Sequence, residues 1–314
     1  DALMSTVGQS IEFTQVLLDN VYCGGSYLGD RWVATAAHCV TDFSGRLSQL
    51  PGEIRVTVGI NDLGSAQSRN EAIAVERIEF NPSFRSDAAG IPRGDWALVR
   101  LVAEPINGNP IQIATAVDLN AAKQRGGDVT VIGWGGQLAY GPGTAIPTPP
   151  STVLPSSSLR HAVIQLADTA TCNAGFQRFN DVYQNGDRSV LAVIGDEEIC
   201  HANRQTFREN VCHGDSGGPS VITVNGAPHL VGATSWGPGP GCAFGFDGSY
   251  AVSASLTHFA ATLSGITGQQ LLGTAGLVTP SASSASSGGG SVAWWAIVLL
   301  WAHRALRRRE TIAR

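Results

Sequence analysis

Charged side chains make up only 14% of this chain, and it contains a single methionine. The net charge is −5 and no basic stripe crosses the body, which argues against a nucleic-acid partner. No C-x-x-C pair occurs, so neither a zinc site nor a thioredoxin-like site is indicated, and no metal or other cofactor is expected. No repeat of solenoid type is present. The opening residues, "DALMSTVGQS", hold neither an initiator methionine nor a signal peptide, so the sequence is expected to start after processing or to be a fragment. The longest apolar run, "VAWWAIVLLWA", has about 11 residues; as a helix it rises about 17 Å, short of the ~30 Å hydrocarbon core.

What is abundant is glycine, 38 residues of 314. With it come short β-rich runs separated by turn clusters: "IEFTQVLL", "RWVATAA", "IRVTVGI", "AIAVERIEF", "WALVRL", "DVTVIGW", "LRHAVIQL", "HLVGATSW" and "SYAVSA". Several alternate in polarity as half-buried strands do, and their spacing suits an all-β barrel or sandwich better than βαβ units. A helix is expected from about Ser255 to Ser264. Residues 137–158, rich in Pro, Ser and Gly, read as a surface loop, and the stretch between Cys172 and Cys200 reads as an excursion. Six cysteines, Cys23, Cys39, Cys172, Cys200, Cys212 and Cys242, suit paired disulfides and an oxidising compartment.

Past residue 266 the composition changes. Residues 267–290 read as a Ser/Gly-rich linker and 291–314 as a hydrophobic tail helix followed by an arginine cluster. Counted from the glycines to Leu306, the tail is just long enough to span a membrane, and its arginines would stay cytoplasmic. The tail is basic while the rest of the chain carries 15 basic against 24 acidic residues.

The chemistry gathers around "CHGDSGGPS". A hydroxyl is a weak nucleophile until a base takes its proton, and a sharp glycine-flanked turn leaves backbone N–H groups pointing into one small space. Ser216 sits in such a turn between Gly214 and Pro219. His38 follows an apolar strand in "WVATAAHCV", and Asp95 precedes another in "GDWALVRL", where a buried carboxylate needs an imidazole or similar partner.

In order along the chain, "TAAHC", "GDWALVRL", "GWG", "CHGDSGGP" and "SWG" make the sequence resemble the trypsin/chymotrypsin family of serine proteases over most of residues 10 to 265. The resemblance implies two six-stranded antiparallel β-barrels with a C-terminal helix, a protease domain over residues 1–266, and a site in the cleft between the barrels. By motif, His38 is general base and acid, Asp95 orients it, and Ser216 is the nucleophile. The N–H groups of Gly214 and Ser216 form the oxyanion hole, and Ser235, Trp236 and Gly237 meet an extended substrate. The implied disulfides are Cys23–Cys39, Cys172–Cys200 and Cys212–Cys242. Asp215 would pair with an α-amino group freed by an activating protease. The family's usual Ile/Val-Val-Gly-Gly start is missing from this sequence, so a few residues are expected upstream.

At the base of the specificity pocket stands Asn210, not an aspartate, with Gly237 and Gly248 on the walls. An asparagine does not neutralise a lysine or arginine, although Glu209 and Asp247 are near enough in sequence to restore acidity. His213 falls at the pocket rim, where it either touches substrate or lies solvated. The tail, "SSGGGSVAWWAIVLLWAHRALRRRE", is similar to bacterial GlyGly-CTERM sorting signals, which implies processing by a rhombosortase-type enzyme and delivery to the cell surface or medium; the rival reading is a plain C-terminal anchor. The chain is thus expected to be an exported endopeptidase of protein or peptide substrates. The alternative is a surface binding module that keeps the protease fold without becoming active.

Overall fold

Alternating burial along short strands sets the architecture. In the segment Asp128–Gly133, Val129 and Val131 are buried while Asp128 and Thr130 are not, so the strand has one core face. A computed structural model describes residues 21–42, 44–65, 71–136, 156–187, 191–237, 242, 245–274 and 297–302. The expected strand "IEFTQVLL" and nearly all of the 137–158 loop lie outside those residues.

The first barrel is built from β1 (Val21–Gly29), β2 (Trp32–Thr35), β3 (Ile54–Val58), β4 (Ile73–Phe80), β7 (Ala97–Leu101) and β14 (Ile297–Ala302). It closes in the order β1-β14-β3-β4-β7-β2, every pairing antiparallel. A two-residue pair, β5 (Arg85–Ser86) and β6 (Pro92–Arg93), lies in the loop between β4 and β7. The second barrel uses β8 (Asp128–Gly133), β9 (Arg160–Ala167), β10 (Glu198–Ala202), β11 (Pro219–Val224), β12 (Ala227–Trp236) and β13 (Ala251–Ser255), closed as β10-β13-β12-β11-β8-β9. The double barrel is therefore as expected. Between the barrels a shared cluster joins Trp32, Trp96 and Leu98 of the first to Leu230 of the second and to Leu256 and Leu263 of the closing helix.

Three α-helices punctuate the strands among the described residues: α1 (Ala116–Gln124), α2 (Thr169–Tyr183) and α3 (Leu256–Thr267). The last is bounded by its own chemistry. Ser255 accepts the N–H of His258 at the start, and Gly268, at φ 71°, ends the helix in the left-handed conformation that glycine adopts without strain. After the helix, Leu271 is buried and Leu272 bridges to Ile113.

Two expectations are corrected. The excursion after Cys172 begins as α2, capped by Asp168, with Cys172, Phe176 and Phe179 buried at helical spacing on one face. The apolar tail, expected as a helix, instead forms β14, with Ile297–Ala302 laddered on one side to β1 and on the other to β3. Its Ile-Val start suits a strand, and only a strand can fill a gap in a barrel ladder. Among the described residues no helix is long and apolar enough to cross a membrane.

Disulfides join Cys23 to Cys39, Cys172 to Cys200 and Cys212 to Cys242. In the second barrel, His201 of β10 is fully buried, its Nε2 2.9 Å from the Ser253 hydroxyl, which lies 2.8 Å from that of Ser220. Burial pushes this imidazole down to about 4, and Asn210 opposes the shift only in part. Between roughly pH 6.5 and 4 the unfolded chain therefore binds a proton that the folded chain refuses, and stability is lost as pH falls through that window. A His201→Gln variant should lose this dependence. Urea midpoints at pH 7 and 4.5 should show the wild type losing roughly 3 kcal/mol relative to the variant, at about 1.4 kcal/mol per pH unit.

Candidate active site

His38 lies on a single 3-10 turn, Ala37–Cys39, directly after β2. The neighbouring Cys39 is tied to Cys23 on β1, so the turn cannot drift from the barrel. Asp95, 2% exposed, comes from the loop entering β7. That loop is held by the Asn81 side chain donating to the Gly94 carbonyl at 2.9 Å and by Trp96, buried against Phe259 of α3. Just before it, Arg93 bridges Asp87 at 2.6 Å and Glu198 of β10 at 2.7 Å, a pairing that spans the two barrels.

Asp95 accepts three hydrogen bonds. The His38 backbone N–H donates to Oδ1 at 2.9 Å, His38 Nδ1 lies 2.7 Å from Oδ2, and the Ser235 hydroxyl also donates to Oδ2. Burial on its own would raise this carboxyl, but the His38 charge and these hydrogen bonds outweigh it and hold the pKa below the usual range. For His38 burial disfavours the imidazolium, yet the charge and hydrogen bond of Asp95 prevail and the pKa is raised. A proton held on Nδ1 leaves the lone pair on Nε2.

Ser216 reaches the same place from the second barrel. It lines with His38 a cavity of about 300 Å³. Its carbonyl accepts the Gly24 N–H of β1 at 2.7 Å, and Gly217 next to it has φ 75°. A Cβ on Gly217 would stand 2.1 Å from Thr35 Oγ1 and 2.5 Å from the Gly24 carbonyl. Only glycine lets the serine turn close this far onto the strand ends that carry His38. Gly214, at φ 98°, opens the turn, and the Gly217 N–H to the Thr234 carbonyl at 2.7 Å fastens it to β12.

Asp215 points the other way. Its carboxylate is wedged against Gly133 and Gly135, where a Cβ would fall 2.0 and 2.4 Å from its oxygens, and it accepts the N–H groups of Gly135 and Cys212, both at 2.8 Å. No ion pair to it is formed among the described residues, and burial raises its pKa to about 6. Beside it opens a second cavity of about 230 Å³, bounded by Val131, Gly136, Arg160 and Asn210.

Of the expected substrate-binding residues, His213, Ser235, Trp236 and Gly237 line the cavity that holds His38 and Ser216. Asn210 and Gly248 do not. Asn210 lines the Asp215 cavity, its side chain donating to the Ser249 carbonyl at 3.1 Å. Gly248 is packed under α2, where a Cβ would meet the Gly175 carbonyl at 2.5 Å. Neither acid restores a negative charge to the pocket: Asp247 pairs at the surface with Arg178 at 2.8 Å, and exposed Glu209 accepts from Asn203 at 2.6 Å. The walls are Val211, Ala251, Trp236 and the Cys212–Cys242 disulfide. Sequence reasoning missed the Ser235 side chain on Asp95 and the glycines that seat Asp215; the "GWG" and "SWG" motifs marked the segments without revealing these contacts.

A family model described as Trypsin matches residues 6–261. Serine protease 41 of Homo sapiens is 32% identical over 221 residues, 68% of this chain and 60% of that protein. Coagulation factor IX of Cavia porcellus is 30% identical over 235 residues, 71% of this chain and 67% of the relative. The match thus spans under two thirds of the first relative's length.

The balance at His38 gives a direct test. An Asp95→Asn change removes the charge that opposes burial, so the His38 pKa, read by NMR titration of the ring protons, should fall below about 6.5. A pKa unmoved by the change would mean that Asp95 does not control the imidazole.

Proposed function

The chain belongs to the trypsin family, and from that membership we propose that it is a serine-type endopeptidase working through Ser216, His38 and Asp95. The observation that carries this reading is the buried Asp95 carboxylate on the Nδ1 side of His38, with Ser216 lining the same cavity. In the proposed reaction Ser216 Oγ gives its proton to His38 Nε2 and bonds to the scissile carbonyl carbon, whose π electrons move onto oxygen. The N–H groups of Gly214 and Ser216 receive that oxyanion. Collapse of the adduct expels the amine, which takes the proton from His38, and water hydrolyses the resulting ester by the reverse relay. Asp95 stays ionised throughout and stabilises the imidazolium between steps.

The pocket supports an apolar P1 side chain. A lysine or arginine entering walls of Val211, Ala251, Trp236 and a disulfide would lose its hydration without meeting a carboxylate. His213 at the rim would contact neighbouring substrate backbone. Disulfides support an exported location. Reading the tail as a sorting signal for a rhombosortase-type enzyme, and the organism as bacterial, rests on residues 288–314 alone.

One observation favours the second reading, a protease fold that is not yet active: Asp215 carries a carboxylate with no cationic partner among the described residues. An α-amino group delivered into the adjoining cavity by an activating cleavage would supply that partner and bring the carboxyl back towards its ordinary ionisation.

Ser216→Ala should reduce peptide hydrolysis by the processed enzyme to background, and Asp95→Asn should cost at least about 10²-fold in kcat, within the range for general acid–base assistance. Equal rates for Ser216→Ala and the parent on a casein substrate would sink the enzyme reading. Across a P1 library, apolar residues should exceed lysine and arginine by at least about tenfold in kcat/KM, which needs only about 1.4 kcal/mol of discrimination; a basic preference would overturn the pocket assignment.

A further inference from the structure

A hairpin that belongs to neither barrel forms part of the wall of the Ser216 cavity. β5 and β6 pair with each other, Arg85 opposite Arg93 and Ser86 opposite Pro92, and no ladder among the described residues joins them to either barrel. Yet Gly90 and Pro92 line the cavity of about 300 Å³ that also holds His38, Ser216 and Trp236. The base of the hairpin is anchored by buried Phe84 on one side and by buried Asp95 and Trp96 on the other. Its tip is shaped locally: Asp87 Oδ1 accepts the N–H groups of Ala89 at 2.9 Å and Ile91 at 3.0 Å, and Gly90 turns the chain at φ 77°. Those bonds shape the turn without fixing where it points, and a lone two-stranded hairpin is marginal in water.

Arg93 ties that turn to the second barrel. Its Nε and one terminal nitrogen donate to Asp87 Oδ2 at 2.9 and 2.6 Å, and the other terminal nitrogen donates to Glu198 Oε1 at 2.7 Å. A guanidinium can do this because its donors sit in one rigid plane. The far end of the tie is itself fixed. Glu198 Oε2 accepts the Gly195 N–H at 2.9 Å, and the residue stands on β10 opposite Ala254 of β13, two positions before the bridged Cys200. Lys123 donates to the Glu198 backbone carbonyl at 3.4 Å, not to the carboxylate. With side chains 19% and 7% exposed, Arg93 and Glu198 are largely out of water, unlike the screened pairs of an open surface.

We propose that Arg93 is a positioning residue for substrate: its bond to Glu198 holds the Gly90–Pro92 wall at a set distance from the second-barrel wall of the cavity. This role rests on the protease reading above. The cavity takes Gly90 and Pro92 from the first barrel's hairpin and Val211, Trp236 and Ala251 from the second barrel, so its width depends on how the hairpin is set against the second barrel. A substrate long enough to lie along both walls gains from a fixed width, because the wall need not be ordered at the moment of binding. One that fills only the apolar pocket at Val211 and Ala251 leaves the hairpin untouched. Arg93 does not line the cavity, so it governs the binding of extended chains and not proton transfer at His38.

Two variants test it. Arg93→Met removes the fork, and Arg93→Met combined with Glu198→Gln removes it without leaving a buried carboxylate unpaired, should the single variant fail to fold. The processed enzyme and its variants are compared on a tetrapeptide amide with an apolar P1 residue and on a single-residue ester of the same amino acid. The tetrapeptide KM should rise about tenfold with kcat within about threefold, the pattern of lost binding, while kcat/KM for the ester stays within about twofold. Hydrogen exchange at the Ala89 and Ile91 amides should quicken about tenfold or more as the turn loosens. With an active parent, the role of Arg93 is overturned by a wild-type tetrapeptide KM, by equal losses on both substrates, by unchanged exchange, or by failure of both variants to fold. A parent that cleaves neither substrate overturns the protease reading itself, and the substrate role of Arg93 with it.

Discussion

Much of this molecule is arranged around one uncomfortable group, the carboxylate of Asp95. An ionised carboxyl removed from water costs several kcal/mol unless charge and hydrogen bonds compensate. Three donors converge on it, from the His38 backbone, the His38 ring and the Ser235 hydroxyl. Meeting that demand brings β2, the loop before β7 and the end of β12 to one point, which means both barrels must dock in a single register. The shared Trp32–Trp96–Leu256 cluster and the Arg93–Glu198 pair hold that docking.

Glycine does the complementary work. Where the barrels touch at Ser216, the approach is so close that Gly217 has no room for a methyl group, and Asp215 is seated only because positions 133 and 135 lack side chains. The two neighbours in sequence, Asp215 and Ser216, thereby face opposite cavities. Ser216 lines the cavity shared with His38, and Asp215 lines the one beside β8.

β8, with Val129 and Val131 buried between less buried neighbours, was legible from the sequence, as were the β-rich run of β9 and the segments carrying His38, Asp95 and Ser216, whose motifs sit at strand ends. β1 was not, since Gly24, Gly25 and Gly29 break its pattern and its stability comes from neighbours on both edges. α2 was hidden because its apolar stripe, Cys172, Phe176 and Phe179, is embedded in polar residues that look like loop. The tail misled for the opposite reason: an apolar run of that length suits helix and buried strand equally, and only the gap in the barrel decides. Asn210, placed in sequence by counting back from Ser216, lines the cavity beside Asp215. Distance along the chain says nothing of which side of a backbone turn a side chain takes, and its bond to Ser249 turns it towards the neighbouring cavity.

The three disulfides differ in what surrounds them. Cys172 and Cys200 are sealed inside the second barrel and Cys23 and Cys39 are 2% exposed, whereas Cys212 is 9% exposed and Cys242 only partly buried, at the wall of the cleft. A small thiol in the surroundings meets that last bridge first. Its reduction would loosen the wall of the cavity that Ser216 lines, while His38 stayed fastened to β1 through the buried Cys23–Cys39 bridge.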